Sequence, residues 1–116
     1  MKNTIFLVID GTLLRLCGSL TNIFYEDDPK VLDGAIEKIN EWESKGYNII
    51  LTTGRKECMR GITQDQLFRV GIFYDQLIMG IGGGPRYVVN DRKPDGKDTA
   101  FSVNVDRNYG ITSVNI

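Results

Sequence analysis

Thr4-Ile-Phe-Leu-Val-Ile-Asp-Gly-Thr12 is the stretch on which the fold turns. Thr4 to Ile9 is uninterrupted apolar and β-branched sequence, which predicts a strand covered on both faces and central in a parallel sheet. The run ends at Asp10, so it is too short for a signal-peptide core or a membrane span. A cytoplasmic protein is therefore expected. Asp10-Gly11-Thr12 turns the chain off the strand with polar side chains.

Downstream, residues 13–32 have no clear period and contain Gly18, Asp27, Asp28 and Pro29, which predicts a long loop or small flap. From Asp33 the pattern becomes helical. Ala35, Ile36, Ile39 and Trp42 share one face, Glu37, Lys38, Glu41 and Lys45 face water, and Gly46 supplies a stop. Asn48-Ile-Ile-Leu-Thr52 is a second buried strand, and a helix between two such strands is a βαβ unit with a right-handed crossover. A second helix is predicted over 57–70, carrying Met59, Ile62, Leu67 and Val70 and stopping at Gly71. A short strand over 76–79, the run Gly80-Ile-Gly-Gly-Gly-Pro85, a strand over 86–89 ending in Asn90-Asp91 and a last strand near 100–105 complete the chain. The expected architecture is one α/β domain over 1–116, three-layered and Rossmann-like, with a central parallel sheet of about five strands.

Composition narrows the chemistry. The 116 residues carry 14 Lys+Arg against 15 Asp+Glu, a net charge of −1 that gives no basic face for nucleic acid or an anionic membrane. There is no histidine, which excludes Ser-His-Asp and Cys-His sites, His-ligated zinc and imidazole base catalysis. Cys17 and Cys58 are expected to be unpaired.

Ligands of open parallel sheets bind outside the carboxyl ends of the strands. Those ends carry Asp10-Gly11-Thr12, Thr53-Gly54-Arg55 and Asn90-Asp91-Arg92-Lys93. Carboxylates to hold a hard cation, a hydroxyl with adjacent amides for phosphate oxygens, and cations to offset developing charge together point to Mg²⁺ and a phosphate group. Singly, Asp10-Gly11 is equally a plain turn and Thr53 equally a helix cap. The glycine run is not a dinucleotide fingerprint, because it leads through Pro85 into a strand and opens no helix.

Phe6-Leu-Val-Ile-Asp-Gly-Thr-Leu13 resembles the first motif of the haloacid-dehalogenase (HAD) superfamily, usually Asp-x-Asp-Gly-Thr after a hydrophobic strand. Ile49-Ile-Leu-Thr-Thr-Gly-Arg55 resembles the second motif, and Tyr87-Val-Val-Asn-Asp-Arg-Lys-Pro94 the fourth, acidic one. Gly71 to Gly84 also looks like small capless members associated with surface-polysaccharide or sugar-phosphate metabolism. The resemblance implies a fold without a large cap, Asp10 as general acid/base, Thr53 and the Gly54 amide as phosphate ligands, and Mg²⁺ held by Asp91, Asn90 and the Asp10 backbone carbonyl.

The nucleophile of that family lies two residues before its acid/base, and here that position is Val8. An isopropyl group neither attacks phosphorus nor ligates a metal. The Lys or Arg usual ahead of the acidic motif is also missing. Arg86 is the nearest candidate for that phosphate and charge partner, and Asn90 in place of a carboxylate weakens the expected Mg²⁺ site.

The resemblance thus implies a Mg²⁺-dependent phosphatase scaffold for a small phosphorylated metabolite, impaired by Val8. The alternative is a non-catalytic relative that binds a phosphorylated ligand or a protein partner. A receiver-like signalling domain ranks last, since the second strand ends in Thr52-Thr53 where a phospho-acceptor Asp is needed. A domain this small leaves its site open, which makes room for a homo-oligomer whose neighbouring subunit covers it.

Overall fold

A computed structural model describes residues 2–16 and 29–116. Most of the flap expected over 13–32, together with Cys17, lies outside the described residues. The elements are β1 (Thr4–Val8), α1 (Ala35–Ser44), β2 (Asn48–Thr52), a single 3₁₀ turn (Glu57–Met59), α2 (Arg60–Val70) and β3 (Gln76–Ile78). Their order and boundaries follow the hydrophobic pattern closely through residue 79.

All pairings are parallel, in the order β1-β2-β3. The register sets Phe6 opposite Ile50 and Val8 opposite Thr52, then Ile50 opposite Gln76 and Thr52 opposite Ile78. Two right-handed crossovers that step in the same direction put both helices on one face of the sheet. That face is the core: Ile5, Leu7, Ile9, Ile49, Leu51 and Leu77 form one buried cluster with Ile39 and Trp42 of α1 and Leu67 of α2.

Each helix stops where a glycine can take a left-handed conformation. After α1, Gly46 (φ 78) lets the Tyr47 amide turn back onto the Trp42 carbonyl. After α2, Gly71 (φ 80) lets the Ile72 amide bond the Leu67 carbonyl, which drives Ile72 into the core.

Three expectations need correction. The sheet has three strands among the described residues, not five, and β1 is an edge strand, not the centre. β1 is also not covered on both faces: Ile5 and Leu7 are buried, but Phe6 on the opposite face is 59% exposed. Finally, 86–89 and 100–105 form no strand. With no third layer among the described residues, the open face carries Phe6, Val8, Ile50, Thr52 and Ile78.

Residues 80–105 instead form a projecting arm. Its outgoing foot is tied down by the Gly80 amide on the Arg55 carbonyl and the Ile81 amide on the Thr53 carbonyl. A turn near the tip, with the Lys93 amide on the Lys97 carbonyl, sends it back. The return leg is tied to the outgoing one by Thr99 Oγ1 donating to the Asp91 carbonyl and by the Arg92–Asp98 ion pair. Val105 then packs against the core, and the Asn108 amide bonds the Gly11 carbonyl. The arm stretches the molecule to 50 × 28 × 24 Å and a radius of gyration of 14.7 Å, against about 13.4 Å for a compact chain of this length.

Candidate functional site

The carboxyl ends of β1 and β2 bring Val8, Asp10, Thr53, Gly54 and Arg55 together. Val8 closes β1, half-buried, in register with Thr52. Past it, the Leu13 and Leu14 amides fold back onto the Ile9 carbonyl, which turns the Asp10 side chain to the edge. Arg107 also approaches here, its Cγ 3.2 Å from where a Cβ on Gly11 would lie.

Arg55 is the centre of the arrangement. It is only 2% exposed, and a buried guanidinium is tolerated only when its charge and its N–H groups are matched. Nε and Nη2 each donate to a carboxylate oxygen of Asp10 at 2.8 Å. Nη1 donates to Thr63 Oγ1 at 3.0 Å and to Gln66 Oε1 at 2.8 Å, both on α2. The ion pair therefore joins the loop after β1, the turn after β2 and the body of α2. Both Asp10 oxygens are engaged, and each keeps one further acceptor direction.

Thr53 is buried, and its hydroxyl accepts the Arg55 amide at 3.0 Å. It thereby sets the turn that aims Arg55 at Asp10. Gly54 is half-buried against the foot of the arm, where an added Cβ would lie 3.0 Å from the Gly82 carbonyl oxygen. Arg86 stands at the same foot. Its guanidinium donates to the Gly82 and Gly84 carbonyls, so it is spent on the glycine loop it follows.

Asn90 and Asp91 are carried out along the arm. Both are exposed; Asn90 lines a shallow cleft of about 350 Å³ with Arg92, Asp98, Thr99 and Ala100. The sequence places them at the end of a sheet strand, and the missing strand is why they do not join the edge. Among the described residues no group of three or more Asp, Glu or Cys side chains could hold a metal.

Sequence reasoning placed Arg55 at the edge but gave it no partner, and it missed Thr63 and Gln66. Their spacing on α2 puts both on one face, yet nothing in the pattern marks that face as the lining of a buried cation.

A family profile described as "PITM 1-3, LNS2 domain" matches residues 5–82. Those residues end at the foot of the arm. Among solved structures, a chain of the "Structure of Pnkp1/Rnl/Hen1 complex" superposes with a TM-score of 0.60 and 28% identity, covering 74% of this chain and 30% of that one. A chain of the "Structure of the Pnkp1/Rnl/Hen1 RNA repair complex" gives 0.59 and 27%, covering 81% and 28%. This chain thus spans under a third of the length of those relatives. A Vibrio cholerae structural-genomics target shares the fold at 19% identity and a TM-score of 0.54, covering 78% of this chain and 81% of that one. No curated protein matches the chain. No helix among the described residues is long and apolar enough to cross a membrane.

Proposed function

Because the chain belongs to the LNS2 family, a lipin-like branch of the HAD superfamily, we propose that it is a HAD-type phosphomonoester hydrolase scaffold whose catalytic step is disabled at Val8. One observation carries the reading: Val8 ends β1 two residues before Asp10, and that edge faces Thr53 and Gly54 at the end of β2. In this reading Asp10 is the acid/base, Thr53 and the Gly54 amide receive the phosphoryl oxygens, and Arg86 serves as phosphate and charge partner by exchanging its bonds to the Gly82 and Gly84 carbonyls for the ligand. The substrate class is a small phosphorylated metabolite. A sugar phosphate is its finer form, supported only by the resemblance of Gly71 to Gly84, and a cytoplasmic setting is supported by the unpaired Cys58.

LNS2 phosphatases of the HAD type generally use Mg²⁺. The single chain does not fit that ion: Val8 offers no oxygen, both Asp10 oxygens accept from Arg55, and Asn90 and Asp91 are on the arm. No step is therefore drawn through it.

The Arg55 fork favours a second reading, a non-catalytic relative that binds a phosphorylated ligand or a protein partner. Both Asp10 oxygens are taken by a buried cation that also binds Thr63 and Gln66, the arrangement of a structural anchor. The two readings separate in one experiment, phosphate release from sugar phosphates and small phosphomonoesters with Mg²⁺ present, this chain against Val8→Asp. Hydrolysis by Val8→Asp alone supports the disabled scaffold. No hydrolysis by either, with phosphate or a sugar phosphate still raising the melting temperature, supports binding. Hydrolysis by the Val8 chain overturns the assignment of the nucleophile position.

A further inference from the structure

Arg86 and Arg107 both stand near the edge where β1 and β2 end, and they are held differently. Arg86 donates to the Gly82 and Gly84 carbonyls, so binding anything else means leaving them. Arg107 is exposed and makes no hydrogen bond or ion pair with any described residue, its chain neighbour Asp106 included. Its backbone is nevertheless fixed. The Asn108 amide bonds the Gly11 carbonyl at 2.8 Å, and the Asn108 side chain bonds both the amide and the carbonyl of Leu16. Asn108 has φ 68, a left-handed conformation that asparagine accepts more readily than most residues. Residues 107–108 are thereby clamped onto the loop after β1.

Gly11 decides where the Arg107 side chain lies. Gly11 has φ 91, and the Arg107 stem occupies the space beside its missing side chain, with Cγ 3.2 Å and Cδ and Nε each 3.9 Å from where a Cβ would stand. The guanidinium therefore starts beside Gly11, one residue from Asp10. The ladder that sets Val8 opposite Thr52 is continued by the Ile9 amide on the Thr52 carbonyl at 3.1 Å. The turn holding Gly11 and the turn holding Gly54 thus leave the sheet side by side, about 5 Å apart at their roots. Within the second turn the Gly54 amide bonds no described residue, so it too is an open donor.

Charge at this edge favours an anion. The Asp10 carboxylate and the buried Arg55 guanidinium cancel each other, and Val8 adds no charge. Among the described residues the Arg107 charge has no such partner. A guanidinium also offers parallel N–H donors that match two oxygens of one phosphate group.

We infer that Arg107 supplies the counter-charge for a phosphate monoester dianion at this edge, its guanidinium and the Gly54 amide binding the phosphoryl oxygens from the two neighbouring turns. The inference rests on the proposed phosphate site and adds to it a cation that breaks no existing bond to engage.

The test is a titration of inorganic phosphate into the full ¹⁵N-labelled chain at mildly alkaline pH and fixed ionic strength, following the Gly11 and Gly54 amides and the Arg107 Nε–H by NMR. Expected is that all three signals move along one saturating curve. Arg107→Gln should weaken the affinity at least about tenfold, the scale of a hydrogen bond to a charged group, and Arg107→Lys should recover part of the loss. Arg86→Gln should weaken it less than Arg107→Gln does, because Arg86 must first leave two carbonyls. The Nε–H signal needs no variant, so a disturbed Asn108 clamp in one of them could not hide the result. Phosphate that moves the Gly54 amide but leaves the Arg107 Nε–H and the Arg107→Gln affinity unchanged overturns the inference and keeps the site. A larger loss in Arg86→Gln than in Arg107→Gln overturns it as well. Phosphate that moves none of the three signals overturns the site, and the inference with it.

Discussion

The guanidinium of Arg55 meets the carboxylate of Asp10 side-on, with Nε and Nη2 each 2.8 Å from an oxygen. The geometry is the two-point fork that lysine cannot copy. Arg55 is almost wholly buried and Asp10 largely so, and removing one member of such a pair strands the other charge. Arg55→Met should destabilise the chain by about 3–5 kcal/mol. Arg55→Lys should recover only part of that loss, because one ammonium cannot serve Asp10, Thr63 and Gln66 together. Urea denaturation of the three chains checks both statements, and a Met variant as stable as the parent would show the fork to be incidental.

Val8 suits its place physically, whatever its history. It is β-branched, ends a strand and is half-buried on the open face. Val8→Asp places a second carboxylate beside Asp10, whose Arg55 partner is already committed. The loss of strand preference and the desolvation of the new charge should together lower stability by about 1–3 kcal/mol in EDTA at neutral pH. Val8→Thr keeps the shape and should lose less. Equal melting temperatures for Val8 and Val8→Asp in EDTA would count against this environment.

Legibility in the sequence divides at Met79. Before it, period and punctuation agree: Ile39 and Trp42 recur on one helical face, Gly46 and Gly71 stop two helices, and the runs at 4–9 and 48–52 hold the strands Thr4–Val8 and Asn48–Thr52. After it, Tyr87-Val-Val89 has strand composition but no place in the chain's own sheet. A local pattern reports how a segment prefers to lie, not whether it finds an edge, and the tethering of Gly80 and Ile81 to the turn after β2 sends this one outward. The same limit applies to the site. Asp10, Thr53 and Gly54 are visible as strand-end residues, but the role of Arg55 depends on burial and on Thr63 and Gln66, which only the packing of α2 supplies.

At the start of the second helix, Arg60 hydrogen-bonds Glu57, and this contact is the main reason the Glu57 carboxyl titrates below its ordinary value. Desolvation opposes the shift and the charge of Arg60 adds to it. A carboxyl with a lowered folded pKa contributes stability above its unfolded value and loses it as pH falls through the folded one. Arg60→Gln should therefore return Glu57 toward 4.5 and remove that contribution. Glu57 is exposed and the pair is solvent-screened, so the signature is an NMR titration midpoint that moves up, not a change in melting temperature from this ion pair.

The C-terminal segment is fastened by Gly110, and its fastening can be separated from the ordinary cost of a left-handed backbone. Gly110 has φ 89, and a Cβ there would lie 2.2 Å from the Asp33 carbonyl oxygen. That same oxygen accepts the Ile111 amide at 2.8 Å, so the methyl group and the hydrogen bond compete for one space. Gly71 has a similar φ of 80 but nothing within 4 Å of its Cβ position. Gly71→Ala should therefore carry only the conformational term, about 1–2 kcal/mol. Gly110→Ala should add the broken Ile111–Asp33 bond and a partial loss of Ile111 and Val114 from the core, about 2 kcal/mol more. Because Asn108, which bonds both the Leu16 amide and its carbonyl, is next to the damage, hydrogen exchange at Leu16 should speed up in Gly110→Ala and not in Gly71→Ala. Equal destabilisation by the two substitutions, with Leu16 protected in both, would mean that the C-terminal segment is not what holds the loop after β1.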